Sequence, residues 1–231
     1  MNSQLLDRPV GQLVAEKPAR SRVFERWGID YCCGGKKALA DVCAKKNLDP
    51  AAVVSELELS DRSFTPPFID WTSQTLTALC DHIQEVHHGY LRESLPRLTV
   101  MTEKVADRHG EKDPRLLTLN EVFAAFRSEM ESHTAKEDTV LFPAIRNLEN
   151  SANAQPTGRA LEAPIQVMLA DHDDAGEALE AMKNLTDGYI PSEDACNTHR
   201  AMLQALAELE ADMHQHIHKE NNILFPRTIN F

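Results

Sequence analysis

Residues 129–143 read EMESHTAKEDTVLFP, and residues 212–226 read DMHQHIHKENNILFP. The two stretches share one spacing: Glu129-x3-His133-x3-Glu137-x3-Leu141-Phe142-Pro143 and Asp212-x3-His216-x3-Glu220-x3-Leu224-Phe225-Pro226, at a constant offset of 83 residues. A second pair of segments matches upstream of each, His88-x4-Glu93-x-Leu95 against His172-x4-Glu177-x-Leu179, at an offset of 84. The chain therefore holds two copies of a helical hairpin, and copies of this kind place matching residues about a two-fold axis.

Residues four apart lie on one helix face, a turn apart. His133 then projects with Glu137, and His216 with Glu220. From His88 to the turn near residue 110 is about as many residues as from that turn back to His133, so both reach a similar height at ~1.5 Å per residue. If these faces point inward, the core receives the imidazoles of His88, His133, His172 and His216 and the carboxylates of Glu137 and Glu220 at one level. Burying unpaired carboxylates costs several kcal/mol each, so such a group calls for a cation. Nitrogen and oxygen donors without thiolate suit iron or manganese better than zinc, which more often takes a closed tetrahedral set. Two symmetric carboxylates can each bridge two metals, with two histidines ending each and positions left open for oxygen or nitric oxide.

His87 neighbours His88 but points about 100° away, so only one of the two enters the core easily. His214 and His218 bracket His216 on the opposite face. With His82, His109 and His199, these read as surface or supporting groups. Glu129, Asp171 and Asp212 are candidate acceptors for the outer imidazole N–H groups. Leu141–Phe142 and Leu224–Phe225 read as core.

Around this repeat, four long helical stretches are expected at about 71–109, 114–149, 163–187 and 192–222, separated by segments rich in Gly, Pro, Asn or Ser. Pro164 suits a first helical position, Ser192 a cap, and Pro96 a kink. The expectation is an all-α chain: a small helical domain over 1–60, a linker over 61–70 with the helix-breaking pair Pro66–Pro67, and an antiparallel four-helix bundle over 71–231. Three short helices are expected in the small domain: Ser21 to Trp27, closed by Gly28; Lys36 to about Lys46; and one beginning at Asp49–Pro50.

The chain of 231 residues is 42% hydrophobic and 26% charged, as a folded globular protein is. Its net charge of −12 is uneven: residues 1–60 carry 9 basic and 8 acidic groups, residues 61–231 carry 15 and 28. An acidic body of this kind argues against nucleic acid as partner. No apolar run approaches the roughly 18 residues that span a bilayer, and no secretory signal is visible at the N-terminus. Five cysteines without framework spacing fit a reducing cytoplasm.

The other notable cluster is Tyr31-Cys32-Cys33-Gly34-Gly35. Adjacent cysteines would close a strained ring, so the pair reads as free thiols. The glycines would turn the backbone and expose them, and Lys36, Lys37 and a nearby helix N-terminus would lower a thiol pKa. The functional reading is a reactive or metal-handling pair; the plainer one is two buried small residues in a turn. Cys43, Cys80 and Cys196 read as inert.

With WGIDYCCGGKKAL in the first part and SHTAKEDTVLFP, ADHDDAGEAL and HQHIHKENNILFP in the rest, essentially the whole chain resembles the iron–sulfur cluster repair di-iron proteins, or repair of iron centres family. The resemblance implies a short cysteine-pair domain followed by a hemerythrin-like bundle. By position it implies iron ligands at His88, His133, His172 and His216 with bridging Glu137 and Glu220, the set that the repeat selects independently. It also implies two non-haem iron ions, carboxylate-bridged and open to an oxo bridge, in a bacterial cytoplasmic stress-response homodimer. The implied role is repair of clusters damaged by nitrosative or oxidative stress, by iron donation to damaged client proteins, with Cys32 and Cys33 in thiol exchange. Nitric oxide binding or reduction to nitrous oxide, which would make the protein an enzyme, is the alternative. An iron or gas sensor acting through a partner protein is a third.

Overall fold

The computed structural model describes residues 3–63, 69–150 and 158–231. Among these no strand occurs; one isolated bridge pairs Pro9 with Ala38. The Pro66–Pro67 connector and most of the connection between the second and third bundle helices lie outside the described residues.

The N-terminal unit is four short helices: α1 (Val10–Glu16), α2 (Ser21–Arg26), α3 (Leu39–Lys46) and α4 (Pro50–Ser63). Its core gathers Val10, Leu13, Val23, Phe24, Leu39, Cys43, Val53 and Leu57. The α2 helix stops at Gly28, whose φ of +61 is a backbone angle glycine adopts freely. Asp49 accepts from the Ala51 N–H at the start of α4. Two differences from the sequence reading stand out. The α1 helix was not anticipated, and α3 begins at Leu39 rather than Lys36, because residues 34–38 are held in a turn against α1 (Gly11 N–H to Gly35 O, 2.9 Å).

Four long helical segments follow. The first joins α5 (Leu76–His82) to α6 (Gly89–His109), and the second joins α7 (Arg115–Lys136) to α8 (Phe142–Asn150). The third is α9 (Glu162–Leu185); the fourth joins α10 (Asn197–Lys219) to α11 (Phe225–Ile229). They form an antiparallel four-helix bundle around Leu95, Leu119, Phe123, Phe126, Leu179, Leu206 and Leu209. Ser192 does not cap the fourth helix, which starts five residues later; its hydroxyl donates to Asp194 instead. The chain stays helical through Pro96. Three π-helical turns interrupt the regular helix, at Ile83–His88, Glu137–Leu141 and Glu220–Leu224. Each contains or begins with a candidate ligand, a placement common for π-turns, which add a residue to a turn and re-aim side chains.

No helix among the described residues is long and apolar enough to cross a membrane.

Candidate metal centre

His88 closes the first π-turn, and Glu137 and Glu220 open the other two; His133, His172 and His216 sit on regular helix. The fold brings all six to one level of the core, none more than 1% exposed. They form two groups of four that share both glutamates: His88, His216, Glu137 and Glu220, and His133, His172, Glu137 and Glu220. Within each group the donor atoms lie within 4.8 Å of one another. The Nε2 atoms of His88 and His216 are 3.2 Å apart, and those of His133 and His172 are 3.0 Å apart. Glu137 Oε2 lies 3.4 Å from His88 and 3.3 Å from His133; Glu220 lies 3.1 Å from His172 and 3.2 Å from His216.

The electrostatics show what the arrangement lacks by itself. Both oxygens of Glu137 and of Glu220 are buried without a hydrogen-bond partner among the described residues. Burial pushes their pKa values up, but the surrounding imidazoles outweigh it and hold both carboxyls below the usual range, Glu220 well below. Burial likewise pulls His133 down, and the carboxylates of Glu137 and Glu220 overturn that to raise it to about 9. Two buried carboxylates facing four inward Nε2 atoms form a nitrogen and oxygen donor set that fits cation binding.

The outer nitrogens find supports that the sequence reading caught in part. Asp171 Oδ2 lies 3.2 Å from His133 Nδ1, in the acceptor role expected of it. Asp138 lies 2.7 Å from His88 Nδ1, and Asn221 2.7 Å from His172 Nδ1. Neither was anticipated, although both directly follow one of the two shared glutamates and match at the offset of 83. Glu129 makes no contact with a ligand and instead lines a cleft of about 320 Å³ with Lys136 and Asp171. Asp212 binds His87 rather than a ligand. Phe142 and Phe225, read as plain core, stack on the rings of His88 (5.6 Å) and His172 (6.0 Å).

Of the histidines read as surface or supporting groups, His87 and His218 are buried and His214 is half-buried. His87 is buried beside His216, with burial pulling its pKa down. His214 and His218 face the edge of the buried Tyr31 ring, and burial takes His218 down to about 4. These contacts join the two parts of the chain. Tyr31 OH accepts from Gln215, and Asn222 donates to the carbonyls of Tyr31 and Cys32.

The cysteine pair sits in this junction, and the exposure and acidification expected of the thiols are not found at Cys32. Cys32 is buried, with Sγ 3.1 Å from Asp30 Oδ1, and its pKa rises well above normal through the neighbouring Cys33 thiol, burial and the Asp30 carboxylate. Lys36 and Lys37 are exposed, and α3 begins too far along the chain to help. Cys33 is half-buried and donates to the His172 backbone carbonyl at 3.4 Å.

The hemerythrin HHE cation-binding domain model matches residues 80–228, and a domain of unknown function, DUF542, matches residues 6–61. The chain is 38% identical to the iron–sulfur cluster repair protein YtfE of Citrobacter koseri, over 96% of its own length and 97% of that protein's. It is 39% identical over the same shares to the protein of that name from an Enterobacter species, and 38% to one from Escherichia coli. The chain belongs to the iron–sulfur cluster repair family with a hemerythrin HHE domain. Membership implies that the domain binds non-haem iron, and the two His/Glu groups are ones that could hold a metal.

Proposed function

We propose that the protein holds two non-haem iron ions on His88, His133, Glu137, His172, His216 and Glu220, and gives up iron to rebuild damaged iron–sulfur clusters in client proteins. The observation that carries this reading is the pair of four-residue groups sharing two buried carboxylates whose oxygens have no hydrogen-bond partner among the described residues. The printed name of the relatives, similar over nearly the whole chain, supports the repair role.

Bound there, the irons would supply an exchangeable ferrous store with positions left over for an incoming ligand. The chain's own part is to orient and to neutralise. Asp138, Asp171 and Asn221 fix which imidazole nitrogen faces inward. Glu137 and Glu220 supply two negative charges that offset part of the cation charge in a dry core. Two histidines and two shared carboxylates make a sparse donor set for a metal that accepts six, and a sparse set favours release over permanent retention. Cys33 would take part in that handover, a role that its hydrogen bond to the His172 carbonyl supports. The division into 1–60, a 61–70 linker whose first three residues continue α4, and 71–231, together with a cytoplasmic location and a homodimer, belongs to the same reading.

The test is to load the full chain anaerobically with ferrous iron enriched in a Mössbauer-active isotope and to mix it with a hydratase whose cluster nitric oxide has damaged. The expected result is recovered hydratase activity with the label in the rebuilt cluster. Fully loaded protein that leaves the hydratase dead, while turning nitric oxide into nitrous oxide over many cycles, would replace donation with the gas-reducing reading.

A further inference from the structure

The repeat aligns the supporting groups of the two metal positions as well as the ligands, and at one place the alignment breaks. Asp171, the acceptor for His133, corresponds at the offset of 84 to His87. Around these two residues the neighbours still correspond. Lys136, 3.7 Å from Asp171, matches Lys219, whose ammonium donates to His87 Nε2 at 2.8 Å. Glu129 matches Asp212, which accepts from His87 Nδ1 at 2.9 Å.

Both His87 nitrogens are thus engaged, one accepting and one donating. What His87 shows to His216 is the face of its ring: the two rings lie parallel within 2°, centroids 5.3 Å apart. A ring face offers no acceptor in the plane of the neighbouring imidazole. His216 Nδ1 is accordingly buried with no hydrogen-bond partner among the described residues. Of the four candidate ligand imidazoles, three have an outer acceptor and His216 does not.

We propose that the two metal positions differ in affinity, and that the one held by His88 and His216 is the weaker, so that at equilibrium it is the first to empty as free iron falls. This rests on the di-iron reading above and says which iron is the donated one. An acceptor on the outer N–H fixes the ring's orientation and makes its inner nitrogen a better donor; its loss weakens metal binding by about 10–100-fold. Access works the other way. Asp171 lines the 320 Å³ cleft, and Asn221 lines another of about 580 Å³ between the N-terminal unit and α11, so both clefts lie behind the His133–His172 position. An equilibrium measurement separates affinity from access, where a release rate would mix them.

The experiment is an anaerobic competition titration of the full chain with ferrous iron against a chromophoric chelator, read at equilibrium. Two steps of one iron each are expected, separated by about 10–100-fold. His87→Asp, which places an acceptor at the aligned position, should tighten the weaker step and leave the stronger. Asp171→Ala should loosen the stronger step and leave the weaker, and it decides the matter if His87→Asp does not fold. Two irons bound with one indistinguishable constant, or an Asp171→Ala effect confined to the weaker step, overturns the proposal while the di-iron reading survives. Failure to bind a second iron removes both.

Discussion

The second and fourth bundle helices carry the same ligand pattern in the same register, yet their outer faces meet different surroundings. On the second, Ser132, Ala135 and Thr139 are exposed. At the aligned positions of the fourth, Gln215, His218 and Asn222 lie against the N-terminal unit through Tyr31 and the Cys32 carbonyl. The 30–35 loop touches the third helix as well, at His172 and Gly176 through Cys33. The repeat thus builds a near-symmetric candidate metal cluster and an asymmetric molecule: one half faces solvent, the other receives a thiol-bearing domain a hydrogen bond away from a candidate ligand. Inner faces are constrained by shared donor geometry, whereas outer faces are free to differ.

The largest expected effect tests the inner symmetry. Because Glu137 and Glu220 each belong to both groups, Glu137→Ala and Glu220→Ala should each cost most of the bound iron. His133→Ala should cost one position, and His214→Ala none. Metal analysis with Mössbauer spectra of anaerobically purified protein reads all four, and a glutamate variant that keeps both irons would break the bridging scheme.

The next test breaks the outer asymmetry. Asn222→Ala strips two backbone carbonyls of their donor and should destabilise the chain by about 1–3 kcal/mol. Thr139→Ala, at the aligned exposed position, should stay within about 0.5 kcal/mol. Gly35→Ala is expected to resemble Asn222→Ala, since a Cβ there collides with the Asn222 side chain and comes within 2.7 Å of the Tyr31 carbonyl. Chemical denaturation curves compare them; equal values for Asn222→Ala and Thr139→Ala would mean the junction adds nothing to stability.

A smaller effect concerns how the hairpins begin. Glu149, at the end of the second helix, accepts from the Leu76 and Thr77 N–H groups and ties down the start of the first, while α9 starts without a side-chain cap. Glu149→Ala should cost about 0.5–2 kcal/mol, seen as early exchange of the α5 amides. The smallest effect lies in the N-terminal unit. Asp61 is pushed up by burial but held below its ordinary value by Arg20 and Lys17. A depressed carboxyl contributes stability above its unfolded pKa of about 3.9 and loses it as pH falls through the folded value. Asp61→Asn should remove that part of the acid-side slope in urea midpoints and leave the neutral-to-alkaline side flat.

Much of the site is legible in the sequence because a helix converts spacing into shared faces. The x3 spacing of His133 with Glu137 and of His216 with Glu220 needs only helical geometry. The supports were harder to read: Asp138 and Asn221 look like surface residues until the π-turns are known, since the added residue carries the position after each glutamate toward the neighbouring helix. The thiols were misjudged because exposure depends on what the loop docks against, which lies about 140 residues away in sequence (His172, with |i−j| of 139 from Cys33).

By itself, the sequence determined an all-helical repeat and nominated four histidines and two glutamates for its core, since periodicity is local and survives without knowledge of neighbours. Only the tertiary structure decided the pairing, His88 with His216 and His133 with His172, because which helices stand side by side is set by packing between distant segments. It also decided that three of the four imidazoles have an outer acceptor and that Cys32 is covered while Cys33 is half-buried. Those features depend on where Asp138, Asp171, Asn221 and the 30–35 loop come to rest against other helices, and no spacing within one helix encodes that.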